Sequence, residues 1–128
     1  MKQRVMVVLG SVLFIANVAT SQIIEIIDAT GDGGGNTLSQ PWDVAVDAAG
    51  AADVAGFNSD NAFKITYSGV VTEIIDASGD GLGNPLEAGS GIAVDGSGNV
   101  YLTGYRSYNA FKISPGGAIT EIIDANGD

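Results

Sequence analysis

The chain contains no cysteine and no histidine. Without thiols it can form no disulfide, offer no thiolate nucleophile and build no cysteine metal site, so stability has to come from packing. Without imidazole it lacks the usual general base, zinc ligand and triad relay. Basic residues are scarce: five lysines and arginines stand against fifteen acids, a net charge of −10. A phosphate backbone or an anionic lipid surface repels such a molecule, which excludes nucleic acid as a partner and a membrane as a partner of the mature chain. After residue 21 no stretch places apolar residues at helical spacing, so no helix is expected there.

What the chain does have is repetition. Glu25-Ile26-Ile27-Asp28, Glu73-Ile74-Ile75-Asp76 and Glu121-Ile122-Ile123-Asp124 follow one another at a spacing of 48 residues. Residues 25–72 align without a gap on 73–120 and agree at about half of their positions, the mark of a repeat architecture. In the second copy Gly91-Ile92-Ala93-Val94-Asp95, Asn99-Val100-Tyr101-Leu102-Thr103, Ala110-Phe111-Lys112-Ile113-Ser114 and Ala118-Ile119-Thr120-Glu121-Ile122-Ile123 read as four short strands. Gly96-Ser97-Gly98-Asn99 and Pro115-Gly116-Gly117 between them supply hairpin-turn residues. In the first copy Ala51-Ala52-Asp53-Val54-Ala55 stands for the second strand, and its alanines and carboxylate make it the weakest strand expected. Trp42, ahead of the first strand of that copy, reads as a local packing anchor, with ligand stacking as the alternative.

Four-stranded units joined by glycine-rich loops read as β-propeller blades. The fold class expected is therefore all-β, with four-stranded antiparallel blades in an incomplete propeller. Residues 38–76 form blade 1 and 86–124 blade 2 in this reading, with a lone outer strand and loop at 22–37, a second glycine-rich loop at 77–85 and a shortened one at 125–128. The run from Gly91 to Gly104 resembles the NHL-type and SBBP-type propeller repeats, which share a Gly-Ile-Ala-Val-Asp, short turn, Gly-Asn-Val-Tyr pattern. The resemblance implies a ring of six or seven blades serving as a binding or scaffold surface. Two blades do not close such a ring, so the chain is expected to be a fragment of a longer propeller, with a trimer of two-blade chains as the alternative.

The N-terminus reads as an export signal. Lys2 and Arg4 precede an apolar run at 5–18, and Ala19-Thr20-Ser21 offers small residues for cleavage before Gln22. The run is shorter than the roughly 20 residues of a spanning helix, and the expected destination is secreted or periplasmic. Removing residues 1–21 leaves three basic and fifteen acidic residues, a charge of −12.

A surface of that charge attracts cations. Asp76, Ser78 and Asp80 place oxygens at positions one, three and five of a loop, with Gly81 at six, Leu82 at seven, Asn84 at nine and Glu87 at twelve. This is the rhythm of a calcium loop, in which alternate residues aim at one centre and a late acid closes the shell. Asp28, Thr30, Asp32 and Asn36 repeat it with Ser39 in place of the final acid. The same residues also suit a tight turn held by Asp and Ser side chains, so calcium is the one cofactor candidate and the turn its alternative.

Catalytic residues are expected to be absent. Asp47 and Asp95 end equivalent first strands, and Lys64 and Lys112 recur likewise, which suits repeated structural roles better than a unique site. The reading is thus of an exported propeller-repeat module that binds an unidentified protein or carbohydrate and has a tendency to self-associate. A calcium-binding adhesion-like propeller, and a part of a propeller lactonase or lyase, are its alternatives.

Overall fold

A computed structural model of the protein describes residues 2–9, 12–19 and 22–127, the first two stretches as backbone only. Strands β1 (Lys2–Leu9) and β2 (Val12–Ala19) pair as an antiparallel hairpin. The cleavage point expected before Gln22 turns on residues 20 and 21, which lie outside the described residues.

Two antiparallel meanders follow. Strands β3 (Pro41–Val46), β4 (Ala52–Gly56), β5 (Asn61–Ile65) and β6 (Val71–Ile75) form blade 1, in that spatial order. Strands β7 (Gly89–Val94), β8 (Val100–Gly104), β9 (Asn109–Ile113) and β10 (Ile119–Ile123) form blade 2 in the same way. The described residues contain no helix, and the two sheets do not close on each other into a ring.

The period of two decides which side chains meet. Val54 pairs with Phe63 and packs with Leu38 and Ile65 on one face of blade 1, while Ala55 pairs with Ala62 on the other. On blade 2 the counterparts of Val54 and Phe63, Leu102 and Phe111, pair and turn to blade 1, where Ala55, Ala62 and Ile75 join their core. Strand β7 lies against β3 and β4, so small alanines on one blade make room for large side chains on the next. Each fully buried Leu or Phe here is worth about 1.5–3 kcal/mol. Two carboxylates cross the seam: Ile92 N–H donates to Asp43 Oδ2 at 3.0 Å, and Ala88 N–H to Asp60 Oδ1 at 2.7 Å.

Two expectations about particular strands need correcting. Strand β4, whose sequence read as the weakest, is buried along its whole length, because blade 2 covers one of its faces and Leu38 with Phe63 the other. Residues 22–28, read as a lone outer strand, belong to no ladder. Their counterparts in β6 and β10 pair with β5 and β9 of their own blades, so among the described residues no third strand is left for them.

Candidate functional site

Lys64 and Asp53 form an ion pair at the seam between the blades. Lys64 Nζ lies 3.1 and 3.0 Å from the two oxygens of Asp53, whose side chain is fully enclosed, and 3.5 Å from Asp47 Oδ2. Burial pushes the Asp53 carboxyl up, and the ammonium opposes that shift. The Lys64 ammonium thus serves as counter-ion to two carboxylates. Blade 2 has Tyr101 in place of Asp53, and its hydroxyl donates to Asp95 Oδ2 at 3.0 Å. Asp47 and Asp95 also cap their turns, Asp47 accepting from Ala49 and Ala51 N–H and Asp95 from Ser97 and Asn99 N–H, all at 2.9 Å. Hydrogen bonds from Asn99, with a further one from Tyr101, hold the Asp95 carboxyl down at about 2.

The loop residues singled out for calcium engage their own loops. Asp76 Oδ1 accepts the Ser78 N–H at 2.8 Å and the Ser78 hydroxyl; Asp80 accepts Leu82 N–H at 2.9 Å and Asn84 Nδ2 at 2.8 Å. Asp28 takes Thr30, and Asp32 takes Gly34 N–H and Asn36, in the same way. These hydrogen bonds lower all four carboxyls. The Glu87 backbone N–H donates to Ser107 Oγ at 3.1 Å. Among the described residues no three acidic side chains converge at metal-ligand spacing.

The glutamates of the second and third repeat motifs have a different partner. Glu73 Oε1 accepts from Asn61 Nδ2 at 2.8 Å, and the same amide reaches Thr37 O at 3.0 Å. Asn109, Glu121 and Pro85 O reproduce the arrangement in blade 2. A buried asparagine therefore fastens loop, third strand and outer strand together in each blade. Burial pushes the Glu73 carboxyl up despite its hydrogen bond from Asn61.

The feature that sequence reasoning missed lies on the rim. Trp42 stacks on Phe57 at 4.5 Å and 25°, Tyr105 stands 5.9 Å beyond, and the Arg106 guanidinium sits 5.3 Å from the Phe57 centroid. Phe57 and Tyr105 occupy the same position in successive repeats, at the start of the turns after β4 and β8. Their N–H groups donate to Gln40 O at 3.0 Å and Ala88 O at 2.9 Å, which pins each turn beside the entry to its blade. Trp42 is 59% and Tyr105 66% exposed, so the cluster offers flat apolar surface to solvent beside one cation. Trp42 is thus an anchor on one side and a free ring on the other. The signal in the sequence was the aromatic recurring at 57 and 105.

Comparison with known proteins bears on the fold. The family model described as "Beta-propeller repeat" (SBBP) matches residues 88–105. The chain carries a β-propeller repeat. No curated protein matches it in sequence. Two solved structures share the architecture of this propeller-repeat chain. One, titled as a streptogramin B lyase structure, is 16% identical, with a TM-score of 0.53 over 84% of this chain and 30% of the other. The other is a virginiamycin B lyase from Staphylococcus aureus, 14% identical, with a TM-score of 0.51 over 93% of this chain and 33% of the other. The propeller-repeat chain spans about a third of the length of either.

These neighbours overturn the expectation that the chain is no enzyme. Both carry the name of an enzyme, so blades of this kind are compatible with catalysis. The missing histidine and cysteine remove particular chemistries, such as a His-relayed triad or a thiolate attack, and not enzymatic activity as such.

Proposed function

We propose that the chain is a propeller-repeat binding module of an exported protein and that its ligand meets the rim at Trp42, Phe57, Tyr105 and Arg106. The observation that carries this is the half-exposed stack of Trp42 on Phe57 with a guanidinium alongside. Such a platform suits the flat apolar face of a sugar ring or a side chain, with an acidic or hydroxyl group turned to Arg106. Trp42 is the single tryptophan, so its fluorescence reports binding directly. Titration with oligosaccharides and acidic peptides is expected to shift its emission, and Arg106→Ala to weaken the response. Ligands that bind equally well to the Trp42→Ala variant would place the site elsewhere. Export rests on Lys2, Arg4 and the apolar run at 5–18, and N-terminal sequencing of secreted protein is expected to begin at Gln22. Calcium stays outside the proposal; the loop aspartates accept loop amides, as a tight turn requires.

A second reading is favoured by the fold shared with the two lyases: the chain belongs to a propeller lyase. Turnover of a streptogramin B by the protein in which these blades occur supports it, and tight binding without turnover refutes it.

A further inference from the structure

The 48-residue repeat turns the two outward faces of the blade pair into the two halves of one interface. Blade 2 presses Ile92, Val94, Leu102 and Phe111 against the face of blade 1 that carries Ala45, Ala55 and Ala62. The counterparts on blade 1, Val44, Val46, Val54 and Phe63, are apolar at every position, and the inner edge of this face is open: Val44 is 56% and Val46 64% exposed, against 8% for Ile92. The counterparts of the receiving alanines, Ala93, Thr103 and Ala110, are again small, with Ala93 and Thr103 exposed and Ala110 half-buried.

The outer edge of the blade 1 face already holds a stand-in. Ile24 and Ile26 border a cleft with Ala52 and Ile65, and the residues 48 further on, Thr72, Ile74, Val100 and Ile113, border the corresponding cleft between the blades. Ile27 packs on the Phe63 cluster as Ile75 packs on the Phe111 cluster. Residues 23–27 therefore lie on blade 1 where the outer strand of a neighbouring blade belongs.

We propose that a second copy of this chain docks head to tail, blade 2 of one copy on blade 1 of the next, the large side chains of that blade 1 meeting the small ones of blade 2 as those of blade 2 meet blade 1 within the chain. The outer seat goes either to β10 of the incoming copy or to residues 23–27 of the receiving copy, which then take the place of β10 on β9. Ile-Ile-Glu-Ile-Ile and Ile-Thr-Glu-Ile-Ile differ at one position, so the two segments are interchangeable there, and Glu25 meets Asn109 as Glu121 does. The contact is heterologous: copies build a ring where the rotation closes and a filament where it does not. It is weaker than the internal seam, since Gly91 and Tyr108 replace the two seam-crossing carboxylates Asp43 and Asp60.

That deficit supplies the test, read by sedimentation of the purified chain over a range of concentrations. Tyr108 and Asp60 share a left-handed backbone, at φ 55 and 53, so Tyr108→Asp puts a carboxylate where it can accept the Gln40 N–H of the next copy, as Asp60 accepts that of Ala88. Association is expected to strengthen roughly tenfold, the size of one hydrogen bond to a charged group. Val44→Lys places a charge on the open apolar face and is expected to abolish it. Both effects run against net charge, since the first variant is more negative than the parent and the second less. A parent chain that stays monomeric at every concentration overturns the proposal, and so does a Tyr108→Asp variant that associates no more strongly than the parent; circular dichroism establishes that both variants are folded.

Discussion

Asp53 and Tyr101 stand at the same place in successive repeats and find different partners: Asp53 a lysine across the strand pair, Tyr101 the aspartate of the preceding turn. Lys64 is the counter-ion of a fully enclosed carboxylate. Lys64→Met leaves that carboxylate without it and is expected to cost about 3 kcal/mol at neutral pH, because removing one partner of a buried pair exposes the other to the full desolvation penalty. The deficit shrinks in acid, where Asp53 takes a proton; denaturant midpoints measured against pH check both statements. Asp95 acts in the opposite sense. Its carboxyl is held at about 2, below the ordinary 3.8, so its contribution is present above pH 3.8 and is lost as the pH falls through about 2. Asp53 and Glu73, both raised, favour the folded state at low pH and lose that contribution as pH rises through their folded values. Stability is expected to fall between pH 4 and 2, and Asp95→Asn to flatten that fall.

At the scale of strands and loops, the repeat was legible and the partners were not. Gly91 to Gly104 announced its strands through alternation and turn residues; β8 lies within that run and β7 begins two residues before it. The enclosure of β4 was hidden, because Ala52-Asp53-Val54-Ala55 looks weak until a second blade covers it and Lys64 reaches Asp53. The ladderless state of residues 22–28 was hidden for the same reason: pairing depends on which third strand is free. The loop at 76–87 carried two readings in one pattern, a calcium loop and a turn, and its aspartates accept loop amides as the turn requires. The glycines of that loop differ in what they permit. A Cβ on Gly79 would run into the Asn84 carbonyl at a φ of 65, whereas Gly81, at φ 73, has open space around it. Gly81→Ala is therefore expected to cost about 1 kcal/mol, the left-handed conformation alone, and Gly79→Ala clearly more, since the loop has to move; thermal denaturation of the two variants ranks them.

For the molecule as a whole, the decisive fact is where the larger core sits. Ala55, Ala62 and Ile75 of blade 1 belong to the same cluster as Leu86, Leu102 and Phe111 of blade 2, so neither sheet keeps its buried surface if the other is lost. The cluster private to blade 1, around Leu38, Val54, Phe63 and Ile65, is smaller. Blades that share a core in this way unfold together, as nearest-neighbour coupling in a repeat requires. Leu102→Ala tests it, because the residue is fully buried in blade 2 while the single tryptophan, Trp42, reports from blade 1. The substitution is expected to cost about 2–5 kcal/mol through lost burial and the cavity left behind. If the blades are one cooperative unit, the Trp42 fluorescence midpoint falls by as much as the far-ultraviolet signal of the sheets. A tryptophan midpoint that stays at the parent value while the sheet signal drops would show that blade 1 stands without blade 2, and the seam with its two crossing carboxylates would then be a contact between independent units.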